Sequence, residues 1–104
     1  MAYGLEWSQE ALEDIESIAS YIEKDSPVYA RSVVSKFFEK AEILRDFPKS
    51  GRKVPELDNP TIRELFVYSY RLIYKIEQKK ILFVAVVHGK RVLENYLEDC
   101  NRPK

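Results

Sequence analysis

The sequence predicts an α+β domain: a helical hairpin packed on a mostly antiparallel four-stranded sheet, in the order β-α-α-β-β-β with a short C-terminal helix. Three observations carry this expectation. Over 70–77, Tyr70, Leu72, Tyr74 and Ile76 alternate with Arg71, Ile73, Lys75 and Glu77, the period of two that a half-buried strand requires. Over 81–87 every residue is apolar, as in a central strand covered on both faces. Upstream, two amphipathic stretches repeat their apolar residues at intervals of three and four, and neither can bury its stripe alone.

In chain order, Tyr3, Leu5 and Trp7 alternate with Gly4 and Glu6 and suggest a first short strand. Ser8 stands where a helix N-cap belongs, and Glu10 in the first turn suits the positive end of the helix dipole. The first helix runs to about Lys24, with its stripe on Ala11, Leu12, Ile15, Ile18, Ala19 and Ile22. Asp25-Ser26-Pro27 ends it and starts the second, with Ser26 as N-cap and Pro27 in the first turn, where a missing N–H costs nothing. That helix runs to about Asp46 with Ala30, Val34, Phe37, Ala41 and Leu44 on one side, widened by Val33 and Phe38. Phe47-Pro48 closes it. Residues 49–60 contain Gly51, Pro55 and Pro60 and read as a loop. Strands follow over Ile62–Val67, Tyr70–Glu77 and Ile81–His88. Gln78–Lys80 makes a hairpin connector, whereas Tyr68-Ser69 lacks the Gly or Asn that tight hairpins favour. After Gly89, residues 92–99 suit a short helix with Val92, Leu93, Tyr96 and Leu97 on one side.

The 104 residues are read as one domain with one modest core. An apolar content of 45% is that of a globular protein, and 33% charged residues imply a well-solvated surface. No apolar run approaches the ~20 residues of a membrane span, and the N-terminus lacks the basic and apolar regions of a signal peptide. A single cysteine, Cys100, cannot form an internal disulfide, so a reducing cytoplasm is expected. One Cys and one His offer no metal-ligand spacing, and no metal or cofactor is expected. The zero net charge hides an asymmetry. Residues 1–26 carry seven acidic groups and one basic, and residues 27–91 carry fourteen basic and seven acidic. Such a body suits an anionic partner, either an acidic protein or a nucleic acid.

The ordered set Gly51-Arg52, Pro55-Glu56-Leu57, Ile62-Arg63-Glu64-Leu65, Tyr70-Arg71-Leu72-Ile73-Tyr74 and His88-Gly89, following a helical hairpin, resembles the RelE/ParE toxin superfamily. The likeness runs from the Leu5–Trp7 strand to Arg91 and is closer to the ParE, plasmid-stabilisation branch. It implies a cytoplasmic toxin neutralised by an acidic, partly disordered antitoxin encoded beside it, with operator DNA contacted only through the toxin–antitoxin complex. It also implies that the first strand lies beside the last.

Within the superfamily, RelE-like members cut messenger RNA on the ribosome and ParE-like members poison DNA gyrase. RNA cleavage needs a base for the 2′-hydroxyl, cations for the phosphate and an acid for the leaving oxygen. The residues available for that chemistry are Glu56 or His88 as base, with Arg63 and Arg71 as phosphate clamps. The ending His-Gly-Lys-Arg, with no tyrosine following, is more like the ParE side. Gyrase inhibition by protein–protein binding is therefore the favoured function, without a catalytic site. The expected target surface is Lys49, Arg52, Lys53, Arg71, Lys90 and Arg91, and the expected antitoxin contacts are Leu93, Tyr96 and Leu97. A ribosome-dependent endoribonuclease, or a degenerate toxin that only binds antitoxin, are the alternatives. The plainer roles stand beside these. Arg63 and Arg71 can pair across strands with Glu64 or Glu77, for about 0.2–1 kcal/mol each. Glu56 can organise its loop, His88 can be structural, and Phe66, Tyr70 and Tyr74 can be core.

Overall fold

The computed structural model describes residues 2–89. The helix expected over 92–99, with Leu93, Tyr96 and Leu97, lies outside the described residues, as do Lys90 and Arg91. Seven elements are present: β1 (Gly4–Trp7), α1 (Gln9–Glu23), α2 (Pro27–Ile43), β2 (Arg52–Lys53), β3 (Ile62–Val67), β4 (Tyr70–Ile76) and β5 (Lys80–His88). The strands form one sheet in the order β1-β5-β4-β3-β2. β1 runs parallel to β5, and the other three interfaces are antiparallel.

The sheet has five strands where the sequence predicts four. The addition is β2, which pairs Arg52 with Glu64 and Lys53 with Arg63 inside the segment read as loop. Two residues carry no periodicity, so composition alone reads this strand as part of its breaker-rich surroundings.

The helix starts follow the sequence. The Ser8 hydroxyl accepts from the Ala11 amide at 3.0 Å, and Ser26 accepts from Tyr29 at 3.1 Å with Pro27 in the first turn. The hairpin covers one face of the sheet. Ala11 and Ile15 of α1 and Val33, Phe37 and Ala41 of α2 are buried with Leu44, Val67, Leu72, Tyr74, Ile81, Phe83 and Val86. Trp7 stacks on Phe83 with ring centroids 4.0 Å apart, fixing β1 against β5. On the opposite face Val54, Ile62, Ile73, Ala85 and Val87 form a second cluster, with Leu57 against it.

A β-bulge explains why β5 is apolar throughout. Ile73 pairs with Ala85 but Tyr74 pairs with Phe83, so Val84 is an extra residue. The phase of the strand flips there. Ile81, Phe83 and Val86 join the helix-side core, and Ala85 and Val87 join the other. The bulge sits where β1 stops. There the Ser8 hydroxyl donates to the Val84 carbonyl at 3.3 Å, and the Val86 amide donates to Asp14 Oδ2 at 2.9 Å. A helix side chain thus satisfies a strand amide beyond the reach of β1.

The β3–β4 hairpin closes through Tyr68-Ser69, and Tyr68 adopts φ 55°. That left-handed conformation favours glycine or asparagine and costs another residue roughly 1–2 kcal/mol.

Candidate functional site

The residues singled out by sequence fall into two groups, one on each face of the sheet. Away from the helices, Arg71 projects from β4 and is 3% exposed. Its Nε donates to Glu64 Oε1 at 2.6 Å, and its Nη2 also contacts that oxygen. Its two terminal nitrogens grip Glu56 as a fork, Nη1 to Oε2 at 2.8 Å and Nη2 to Oε1 at 2.7 Å. Glu64 is 1% exposed, and its second oxygen accepts from Arg52 Nε at 2.5 Å. Arg52, Glu64, Arg71 and Glu56 therefore make a chain of alternating charge, two positive and two negative. The hydrogen bonds that Arg71 donates to Glu56 raise its pKa, against burial, which lowers it.

This arrangement corrects one sequence expectation. Arg71 lies beneath the surface, saturated by two carboxylates, and presents no face to a target. The cross-strand role considered for it, pairing with Glu64, is the one observed. Register explains the pairing: Glu64 opposes Ile73, which puts Arg71 two residues along on the same face. Arg52, by contrast, is exposed, and its guanidinium lies 5.0 Å from the centre of the Phe66 ring. Phe66 is 48% exposed and so is not the core residue that its strand position suggested.

On the helix side, Arg63 opposes Tyr74 and donates through Nη1 to the Gly51 carbonyl at 2.9 Å. The Gly51 amide donates to the Tyr74 hydroxyl at 3.0 Å, which donates to the Pro48 carbonyl at 2.8 Å. Gly51 is required by this close approach. A Cβ there would lie 2.5 Å from the Tyr74 hydroxyl oxygen and 2.6 Å from the Glu64 carbonyl oxygen. Burial raises the Tyr74 pKa, opposed by the Gly51 amide.

His88 ends β5 opposite Tyr70 and meets its ring edge-on at 5.8 Å. Neighbouring strand residues point to opposite faces. Tyr70 and His88 are therefore on the helix side, whereas Arg71 and its partner Val87 are on the other. Of the four residues named for RNA cleavage, the fold brings Glu56 and Arg71 together and places Arg63 and His88 across the sheet from them. The basic loop is exposed at Lys49, Arg52 and Lys53. Because Arg52 and Lys53 are adjacent on β2, they point to opposite faces of that edge. Among the described residues no cluster of His, Cys, Asp or Glu could hold a metal, and no helix is long and apolar enough to cross a membrane.

Two features escaped the sequence reading. Glu64 is the hub of the ion network, but the alternation of β3 marks only which face it occupies. Tyr21, Tyr29 and Tyr68 are 70%, 49% and 53% exposed, and aromatic composition alone cannot tell them from core residues.

Comparison with known proteins gives a consistent result. Residues 5–93 match the family model for the ParE toxin of the type II toxin–antitoxin system parDE. The chain is 30% identical to Toxin RelE2 of Caulobacter vibrioides over 87 residues, covering 83% of this chain and 94% of that protein. It is 38% identical over 48 residues to the putative toxin Y4kP of Sinorhizobium fredii, 46% of this chain and 50% of that one. Among solved structures, the chromosomal ParDE system from P. aeruginosa superposes with a TM-score of 0.71 at 20% identity, covering 86% of this chain and 98% of the other. A mutant of E. coli toxin RelE in the free state gives a TM-score of 0.64 at 19% identity, covering 86% of each chain. The Mycobacterium tuberculosis toxin–antitoxin complex RelBE2 gives 0.56 at 20% identity, covering 85% of this chain and 99% of that one.

Proposed function

The chain belongs to the ParE toxin family of type II toxin–antitoxin systems, and from that premise we propose that it inhibits DNA gyrase by protein–protein binding and cuts no RNA. The observation that carries this reading is that the candidate groups are spent on one another or kept apart: Glu56 is bonded to Arg71 itself, and His88 lies across the sheet from both. A base and a phosphate clamp must converge within hydrogen-bond reach of one phosphodiester. Here the Arg71 guanidinium is taken up by Glu56 and Glu64, and His88 lies on the opposite face. Exposed cations at Lys49, Arg52 and Lys53 support a binding surface instead, continued in sequence by Lys90 and Arg91.

Neutralisation by a cognate antitoxin is part of the same reading. It is supported by relatives whose structures are of toxin–antitoxin complexes. The toxin works in the cytoplasm without a cofactor, its antitoxin held partly by Leu93, Tyr96 and Leu97, and it reaches operator DNA only through that complex.

A second reading has a specific observation behind it. Toxin RelE2 is 30% identical over most of both chains, so a RelE-type ribosome-dependent endoribonuclease remains the alternative. Two assays on the same purified protein separate them: gyrase supercoiling with cleavage-complex formation, and mRNA cutting in a translating extract. We expect supercoiling to be inhibited and mRNA to stay intact. Cutting at the ribosomal A-site that His88→Ala abolishes, without any effect on gyrase, would overturn the gyrase reading. Inactivity in both would leave a toxin that retains only antitoxin binding.

A further inference from the structure

Two cations stand side by side on the helix side of the β2 edge. Lys53 pairs directly with Arg63 in the β2–β3 register, and like charges placed opposite each other destabilise a strand pair. Neither forms an ion pair among the described residues. Arg63 donates one hydrogen bond, from Nη1 to the Gly51 carbonyl, and its Nε is buried without an acceptor. Buried donors are nearly always partnered, so this guanidinium is left with bonding capacity for a ligand. Arg71 on the other face is the contrast, because two carboxylates saturate it. Lys49, exposed on the segment that leads into β2, adds a third cation. The same segment carries apolar surface. Ile43 and Phe47 are 45% and 65% exposed, and with Pro48, Lys49 and Ser50 they line an open groove of about 430 Å³. Residues 48–51 join the groove to the cations, since the Pro48 carbonyl is held by Tyr74 and the Gly51 carbonyl by Arg63.

We propose that the Ile43–Phe47 groove and the cations Lys49, Lys53 and Arg63 form one docking surface on which gyrase seats an acidic segment bearing an apolar side chain. The proposal deepens the gyrase reading and rests on it. Charge sets the sign of the partner. Glu42 is neutralised by Arg45 at 2.8 Å, which leaves Asp46 against three cations, a surplus of two positive charges. The chain of Arg52, Glu64, Arg71 and Glu56 on the other face is neutral in itself. A guanidinium anchored at one nitrogen keeps its other donors for a carboxylate, which it binds as a fork. The groove sets the class of the partner. An aromatic anchor beside arginine, on apolar surface with a charged rim, is the composition of a protein-interface hot spot. A nucleic acid fits less well, because phosphate and sugar would meet the cations but gain nothing from covering Phe47 and Ile43.

The crowded cations supply the test, because Lys53→Glu sets a carboxylate opposite Arg63 and relieves the repulsion while reversing the charge. The full-length chain and the variants Phe47→Ser, Lys53→Glu, Arg63→Gln and Tyr21→Ser are titrated with purified gyrase, and each is also unfolded thermally. We expect Phe47→Ser and Lys53→Glu to bind gyrase at least tenfold more weakly while melting no lower than the parent. The deficit in Lys53→Glu shrinks as salt rises, and the deficit in Phe47→Ser persists. Tyr21→Ser removes a comparably exposed ring from α1 and leaves binding unchanged. Arg63→Gln weakens binding too, but it also releases Gly51, so the first two variants decide. Full affinity in either of them, with gyrase still bound by the parent, overturns the docking surface and leaves the gyrase reading standing. Binding of a short DNA duplex alone by the parent, lost in Lys53→Glu and kept in Phe47→Ser, overturns it in favour of a phosphate site. A parent chain that neither binds nor inhibits gyrase removes the gyrase reading and this surface with it.

Discussion

Arg71 and Glu64 form a buried ion pair on the sheet face that the helices leave uncovered, with Nε 2.6 Å from Oε1. The pair is completed from outside. Arg52 takes the second oxygen of Glu64, and Glu56 takes the terminal nitrogens of Arg71. Glu56 reaches in from the stretch between β2 and β3, so the network ties that stretch to the sheet. The same stretch places Val54 and Leu57 over Ile73 and Ala85. One set of contacts thus holds both the second core cluster and the exposed basic edge at Arg52 and Lys53.

Removing one member of a buried pair leaves the other charged and uncompensated, which typically costs about 3–5 kcal/mol. We expect Arg71→Ala to lose stability in that range in a denaturant titration. Arg71→Met combined with Glu64→Gln should lose distinctly less than the two single variants added together. A double variant as destabilised as that sum would show that the pair is not coupled. It follows that toxicity lost in Arg71→Ala reports on folding, and it cannot by itself identify a phosphate clamp.

The Tyr74 hydroxyl joins Gly51 to Pro48, so Tyr74→Phe leaves a buried amide and a carbonyl short of a partner. That loss is worth about 1–3 kcal/mol at neutral pH. The pH dependence has a definite sign. Burial raises the Tyr74 pKa above its ordinary value of 10.0. The folded state therefore holds the phenolic proton more tightly than the unfolded chain does. This contribution is complete below the unfolded value and disappears as pH rises through the folded one. Denaturation from pH 9 upward should show a steeper alkaline loss in the parent than in Tyr74→Phe. Some slope will remain in the variant, because burial raises Tyr70 too. Parallel curves would contradict the assignment.

Asp14 of α1 accepts the Val86 amide just past the bulge. Replacing it by alanine strands an amide that β1 does not reach, and we expect a loss of about 1–3 kcal/mol. Faster hydrogen exchange at Val86, with the rest of β5 less affected, is the local signature. Exchange at Val86 identical to the parent would remove this role.

The elements that sequence identified are those whose signal is local. Both N-caps, the three long strands to within one residue, and the helical stripes apart from Leu12 and Phe38, each 40% exposed, stand where their residues placed them, with α2 ending at Ile43 rather than about Asp46. What was illegible depends on chain segments meeting at a distance. The bulge at Val84 hid its phase change inside an unbroken apolar run. β2 exists only because Arg52 and Lys53 find β3. Nothing in Pro55-Glu56-Leu57 indicates that the Glu56 carboxylate closes on an arginine fifteen residues away, so local sequence leaves it free to serve as a base. The alternation of β4 did establish the separation of Arg71 from its neighbour Tyr70, and hence from His88, once the register against β5 is known.

The basic edge gives the functional prediction. Lys49 and Lys53 are exposed and, among the described residues, engage no carboxylate. Reversing their charge should therefore alter stability by no more than about 0.5 kcal/mol. Surface cations that steer a protein partner act chiefly on the association rate and on its salt dependence. Lys49→Glu with Lys53→Glu should accordingly raise the toxin concentration needed to inhibit supercoiling, most clearly at low salt, while melting like the parent. His88→Ala should leave inhibition unchanged, since His88 stands at the end of β5, away from the β2 edge that carries Lys53. Inhibition that survives the double charge reversal at every salt concentration, but fails in His88→Ala, would move the target surface from the β2 edge to the end of β5.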